Sequence, residues 1–287
     1  MKTPIKYFVI FFLTLIAQSC SIERSENGWT NDNLKSKVLS YSELSYKAED
    51  RFGNIEKGGL ERVSSDERDL LKKYDEKGNK VEENRFYSDG SLDDKSTYEY
   101  DENGNLIEEN NYNSDGRLDW KSVNNYDDKG NLIETNLYNS YGSLDSKNTY
   151  KYDEKGNKVE GNNYKSDGSL RVKYTAKYDE KGNKVEQNWF NSEGRFYEKY
   201  TAKYDKKGNK VEQNWFNSDG SLDKKYTTKY DEKGNEIEQN WYKSDGRLYK
   251  TNTCKYDFDN HGNWIKQIRF KDEMPRFILE REYEYYN

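Results

Sequence analysis

Trp189, Trp215 and Trp241 recur at intervals of 26 residues, each preceded by an amide (Asn188, Asn214, Asn240) and followed by a second ring (Phe190, Phe216, Tyr242). Indoles in matching contexts can stack on the faces of sugar rings while neighbouring amides and carboxylates bind hydroxyls. Carried on equivalent strands of successive repeats, they would stand two strand spacings apart, about 9.6 Å, close to the length of a disaccharide in an extended glycan. These six residues form the candidate ligand-binding set. Stacked aromatics also stabilise cross-strand rows, so a ladder packed within the sheet is the alternative.

Other chemistries are weaker in the sequence. Asp101 to Asn105 resembles part of an acidic calcium loop, but Lys77, Lys155, Lys181 and Lys233 occupy the middle of the corresponding segments and would repel a cation, which leaves turn formation as the better account. Asp257, Asp259 and Asn263 around His261 are the best arrangement offered to a metal, and a solvated loop explains them as well. Cys254 lies seven residues before His261, the chain's only histidine, with no orienting third group for a nucleophile pair. It takes the place of Ala176, Ala202 and Thr228 in earlier copies and reads as a small strand residue. Paired carboxylates could hydrolyse a glycoside, making a hydrolase one alternative function. An active site is a unique constellation, however, and every acidic motif here is repeated. No catalytic residue, metal or cofactor is expected.

Composition narrows the class. Among 287 residues, 36% are charged and 31% hydrophobic, and the 27 Tyr, 11 Phe and 6 Trp supply much of the apolar material. A mean hydropathy of −1.37 would suit disorder, but disordered chains are poor in aromatics and rich in proline, and this one has two prolines. An ordered protein packed by aromatic rings and Lys and Glu stems is expected.

Lys2, Lys6 and the apolar run Tyr7 to Ala17 read as a signal peptide over 1–19, too short for a membrane span. Ser19 before Cys20 resembles a bacterial lipobox, which implies cleavage ahead of Cys20 and lipidation of its thiol with fatty-acyl (palmitate-type) chains. Residues 20–36 then form the anchor and a polar tether. Without Lys2 and Lys6, 46 basic residues face 54 acidic ones, a balance of −8 that disfavours nucleic acid. The expected address is the cell envelope, held to a membrane (outer membrane, facing either side) through the lipid.

What must position the aromatics is a repeat. Tyr-Asp falls at 74, 100, 126, 152, 178, 204, 230 and 256. Each copy runs from a segment such as Tyr204 to Asn209 through a strand-like Lys210 to Phe216, a second turn Asn217 to Gly220, and a second strand-like Ser221 to Lys229. Asp-x-x-Gly and Ser-Asp-Gly suit turns closed by a left-handed glycine, and connections this short make successive strands antiparallel neighbours. The spacing predicts an all-β array of two strands per repeat, forming a coiled, solenoid-like sheet over 74–255. Capping strands at 37–73, with a first hairpin turning at Phe52 to Asn54, and at 256–287 would protect its open edges. A transmembrane barrel needs an outward apolar band, which runs such as Lys158 to Asn163 cannot supply.

Tyr-Asp-x-x-Gly-Asn followed by an aliphatic residue, with Asn-Ser-Asp-Gly-Ser-Leu at the second turn, resembles the YD repeats of the Rhs family and, more distantly, variant MORN repeats. The resemblance covers 74–263 and implies a spiralling strand-turn array that serves as a shell or surface module, often carbohydrate-binding. The period is longer than the usual YD unit. A non-enzymatic, lipid-anchored module presenting a repeat surface to a glycan is the expected function; a structural or protein-docking scaffold of the envelope is the alternative.

Overall fold

The computed structural model describes residues 27–60, 69–87 and 89–287. The signal segment and Cys20 lie outside them. Among the described residues one helical turn, α1 (Gly28–Asn31), precedes nineteen strands. The first are β1 (Val38–Arg51), β2 (Asn54–Leu60), β3 (Asp69–Tyr74), β4 (Lys80–Phe86), β5 (Leu92–Tyr100) and β6 (Leu106–Asn113). There follow β7 (Leu118–Tyr126), β8 (Leu132–Asn139), β9 (Leu144–Tyr152), β10 (Lys158–Lys165), β11 (Leu170–Tyr178), β12 (Lys184–Asn191) and β13 (Phe196–Tyr204). The last are β14 (Lys210–Asn217), β15 (Leu222–Tyr230), β16 (Glu236–Lys243), β17 (Leu248–Phe258), β18 (Trp264–Lys271) and β19 (Met274–Tyr285). All are antiparallel to their neighbours, two to a repeat.

The repeated residues explain the turns. At Tyr204 to Asn209 the Asp205 amide donates to the Asn209 carbonyl at 2.9 Å, and Gly208 supplies the left-handed residue at φ 90°. The Asp205 carboxylate accepts from the amides of Lys207 and Asn209 and, at 2.9 Å, from the Asn209 side chain. Tyr204 reaches sideways: its hydroxyl donates to the Lys184 carbonyl of the preceding repeat at 2.9 Å. Tyr100, Tyr126, Tyr152, Tyr178, Tyr230 and Tyr256 make the same bond to the residue twenty positions earlier. The Tyr-Asp pair is therefore a staple between repeats and a lock within the turn. Tyr204→Phe is expected to cost about 1 kcal/mol in urea unfolding, the net worth of one hydrogen bond.

The sheet does not end in open edges. β1 pairs with β19 from Val38↔Tyr285 to Lys47↔Phe277, and on its other side with β3 through Ser40 to Glu43 and with β2 through Tyr46 to Arg51. β2 sits beyond the end of β3, so β1 and β3 to β19 close an eighteen-strand barrel. This corrects the open, solenoid-like sheet, and the terminal strands that were to shield edges pair with one another instead. The physical reason is twist: a coiled sheet of this width brings its edges together, and closure removes the unpaired donors and acceptors that both edges would expose. Eighteen strands at about 4.8 Å give a perimeter of about 86 Å, hence a diameter near 27 Å at the backbone if circular, before strand tilt widens it.

A latch at the Tyr-Asp rim holds the seam. The stretch expected to be tether docks there from Asn27 onward. The Trp29 amide donates to the Gly78 carbonyl at 3.1 Å and its indole to the Val38 carbonyl at 2.7 Å. Asp32 takes bonds from Lys72 and Tyr74, and the Lys35 backbone exchanges two bonds with the Asn263 side chain. Leu34, Val38, Tyr41 and Tyr74 form the buried apolar cluster. The segment thus spans from the turn after β3 to the turn before β18, across β1 and β19.

Side chains alternate between two walls. Trp189 and Trp215, two strands apart, converge to a ring separation of 5.5 Å, and their wall holds the least exposed side chains of these strands, Gln187, Tyr200 and Ala202, which marks it as the concave inner one. The outer wall carries a girdle in which Glu160, Glu186 and Glu212 each bind two lysines, from the strands on either side, at 2.7–2.8 Å. Those lysines hydrogen-bond the carboxylates and hold each well below the usual range, at about 2. A folded-state pKa of about 2 against 4.5 unfolded means that the stabilisation is full above about pH 4.5 and is lost as pH falls towards 2. Unfolding followed from pH 7 to pH 2 should show that loss, damped by 1 M salt because the lysines are a third or more exposed. A wall carrying this girdle of paired charges, three residues into each strand, is not a continuous apolar band. Among the described residues, no helix is long and apolar enough to cross a membrane.

Candidate functional site

Strand register sets an aromatic strip on the inner wall. Tyr174 lies opposite Trp189, Tyr200 opposite Trp215, and Tyr226 opposite Trp241. Six neighbouring strands, β11 to β16, therefore contribute one ring each, alternating Tyr and Trp. Tyr200 and Trp215 are tilted against each other at 4.9 Å, and Tyr226 meets Trp241 edge-on at 6.2 Å. Tyr200 is only 5% exposed, whereas the other five rings are half-buried. In a packed core rings of this size would be covered. Their exposure means that water fills the lumen beside them.

The six candidate residues divide between the walls. Trp189, Trp215 and Trp241 are on the strip, while Phe190, Phe216 and Tyr242 face outward. Phe190 meets Phe196 edge-on at 6.1 Å across the outer wall, and Phe216 and Tyr242 pair with Leu222 and Leu248. Both faces hold aromatics, and a bulge between Trp215 and Phe216 re-aims the strand end. The disaccharide spacing of the indoles is also corrected. Trp189 and Trp215 stack on one another, while Trp241 stands apart beneath Lys250, whose ammonium lies 4.2 Å from the ring.

Sequence reasoning missed Tyr174, Tyr200 and Tyr226 as partners of the indoles. The signal was present: each stands four residues before a repeat Tyr, and Leu222, Tyr226 and Tyr230 share a parity. Gly161 was missed too. It takes the inner position that Gln187 and Gln213 fill in later copies, and a side chain there would begin 2.3 Å from the Tyr174 ring. The missing side chain lets that ring lie on the backbone of β10, which extends the strip by one strand.

The remaining candidates are engaged in packing and turn contacts. Cys254 is half-buried on β17, and burial pushes its thiol up to about 11, against a nucleophilic role. His261 instead lies over the Tyr285 ring at 4.0 Å and 3.8 Å from Asp259. Asp259 accepts the Asn263 amide, and the Asn263 side chain is spent on Lys35 and Tyr285, so this loop is a structural junction of the latch. In the loop after β5 the Asp101 carboxylate is filled by the amides of Asn103 and Asn105 and by the Asn105 side chain. Among the described residues no group of three or more His, Cys, Asp or Glu could hold a metal.

No protein-family model matches the chain, and neither does any curated protein. Solved structures do. A porin-like protein from Bacteroides uniformis is similar at 11% identity, with 87% of this chain and 98% of that one covered and a TM-score of 0.43. A porin-like protein from Bacteroides vulgatus gives 12% identity, 87% and 99% coverage and a TM-score of 0.37. TcdB2-TccC3 without its hypervariable C-terminal region gives 14% identity and a TM-score of 0.31, with 80% of this chain covering 15% of that one.

Proposed function

We propose that the chain is a non-enzymatic lipoprotein of the cell envelope, anchored through Cys20, whose barrel binds an extended glycan along its inner wall. The observation that carries this reading is the strip of alternating Tyr and Trp across six adjacent strands, five of its six rings half-exposed to the lumen. Flat apolar faces that stay wet gain free energy when a sugar face covers them. Gln213, half-buried on the same wall with its amide oxygen accepting from the Tyr200 hydroxyl, keeps its amide nitrogen for a sugar hydroxyl. The seam latch sets an orientation. Asn27 is seven residues from Cys20, at most about 25 Å of extended chain, so a lipidated Cys20 keeps the Tyr-Asp rim near the bilayer.

The test is tryptophan fluorescence of the full-length protein in detergent, titrated with a panel of soluble polysaccharides. A saturable shift with one of them, lost in Trp215→Ala and kept in Phe216→Ala, is the expected result. A second reading, a protein-docking scaffold, draws on exposed apolar side chains, among which Leu248 and Tyr249 are 53% and 50% exposed. That reading predicts the reverse: no sugar moves the spectrum, and Phe216→Ala rather than Trp215→Ala disturbs assembly with envelope proteins.

A further inference from the structure

Lys158, Lys184 and Lys210 open three successive repeats on the inner wall, beside the aromatic strip and toward the Tyr-Asp rim. Among the described residues their ammonium groups have no carboxylate partner. Lys158 lies over the Tyr150 ring at 3.9 Å, Lys184 donates to the Gln187 amide oxygen at 2.5 Å, and Lys210 lies 5.8 Å from the Tyr200 ring. Burial, then repulsion from the next lysine in the row, lowers the pKa of both Lys158 and Lys184. The contrast with the outer wall is sharp, because there the same strands pair every girdle glutamate with two lysines. The row is local. Leu106 and Leu132 hold the equivalent positions before it, and Glu236, its carboxyl raised by burial, follows it. In the first repeat Lys80 is neutralised by Glu83 at 2.6 Å. On the far side of the strip Lys224 and Lys250 lie over Trp215 and Trp241, and Glu198, opposite Trp189, is the acid among them.

Half-buried cations held by rings and an amide, with no carboxylate among their described neighbours, leave positive charge on the wall that an anion can neutralise. The strands that carry successive members of the row stand two spacings apart, about 9.6 Å at the backbone. A polysaccharide bearing one carboxylate per disaccharide repeats at about that length, and flexible four-carbon lysine stems on a concave wall can splay to meet it.

Resting on the glycan reading above, we infer that the inner wall of β10 to β14 binds an acidic polysaccharide with one carboxylate per disaccharide, its charges on Lys158, Lys184 and Lys210 and its ring faces on the half-buried Tyr174 and Trp189. The ligand runs across the strands, around the wall rather than along the barrel axis. Lys224 and Lys250 guard its other edge.

The experiment compares a hyaluronan decasaccharide with the same decasaccharide after reduction of its carboxylates to alcohols, and with a neutral cello-oligosaccharide, by calorimetry on the full-length protein in detergent. The acidic decasaccharide should bind at least tenfold tighter than its reduced form, and its affinity should fall with added salt. The Lys158→Gln, Lys184→Gln, Lys210→Gln triple variant should lose that advantage. A triple variant of Lys151, Lys177 and Lys203 to Gln, the same charge change on the outer wall of the same sheet, should keep it. The inner triple should also melt no lower than the native protein, since repulsion is removed; if it fails to fold, Lys184→Gln alone should weaken acidic binding about threefold. Equal binding of the acidic and reduced sugars, or equal loss in both triples, overturns the inference. Binding of neutral sugar alone overturns it while leaving the glycan reading intact, and binding of none of the sugars, with the polysaccharide panel also silent, removes both.

Discussion

Arg281→Met should destabilise the barrel by about 3–5 kcal/mol, the cost of stripping one partner from a buried ion pair. Arg281 on β19 faces Glu43 on β1 across the closing seam, Nε to carboxylate oxygen 2.7 Å, with side chains only 13% and 10% exposed. Its guanidinium also lies over the rings of Trp264 at 3.8 Å and Tyr41 at 4.3 Å, so truncation removes two cation–π contacts as well. The variant strips Glu43 of its hydrogen-bonded partner in a buried site and leaves it only the attraction of the half-buried Arg269. Glu43→Leu combined with Arg281→Met should recover part of the loss, since an apolar pair pays no desolvation, but not all of it, because Arg269 then loses the carboxylate that attracts it. Urea unfolding of the two singles and the double completes a thermodynamic cycle. A loss below about 1 kcal/mol in Arg281→Met would mean that the seam is held by backbone pairing alone.

Gly28→Val is expected to undock the latch and cost about 2–4 kcal/mol, a large effect for one added side chain at a turn. A Cβ at Gly28 would lie 2.7 Å from the Lys80 amide nitrogen and 2.9 Å from both the Gly78 carbonyl oxygen and the Tyr74 ring. Two of those atoms are backbone in a turn locked by Asp75 and Asn79, so α1 must move instead. Moving it breaks the Trp29 amide bond to Gly78 and exposes Trp29, Leu34 and Tyr74. Hydrogen exchange should then show the Trp29 amide losing protection while Trp189 on β12 keeps its own. Unchanged protection at Trp29 would show that the rim gives way and the latch does not matter.

Much of the strand layout was legible because turn chemistry is local. The segments read as Lys210 to Phe216 and Ser221 to Lys229 are strands Lys210–Asn217 and Leu222–Tyr230, and the first hairpin turns at Phe52 and Gly53 as expected. Closure was not legible. It depends on β1 and β19, which stand outside the repeat pattern, and on pairs such as Glu43 with Arg281 that are 238 residues apart. The division of Trp215 from Phe216 follows ordinary strand alternation, but the bulges at Lys203/Tyr204 and Trp215/Phe216 hid which wall each end belonged to. The lysine row was visible as letters at one repeat position and invisible as a site, because only the fold shows that the outer lysines have carboxylates and these do not.

The central claim is that the array closes on itself to make an inner wall. Ser42 and Glu282 face each other across the seam in the β1–β19 register. Cysteines placed at these two positions, in a chain lacking Cys20 and Cys254, should be joined within one monomer by a short bismaleimide in near-quantitative yield, with both native-state mobility and thermal stability preserved. An open array would hold the two ends tens of ångströms apart; cross-links that form only between molecules, or not at all, would contradict the closed barrel and with it the inner site.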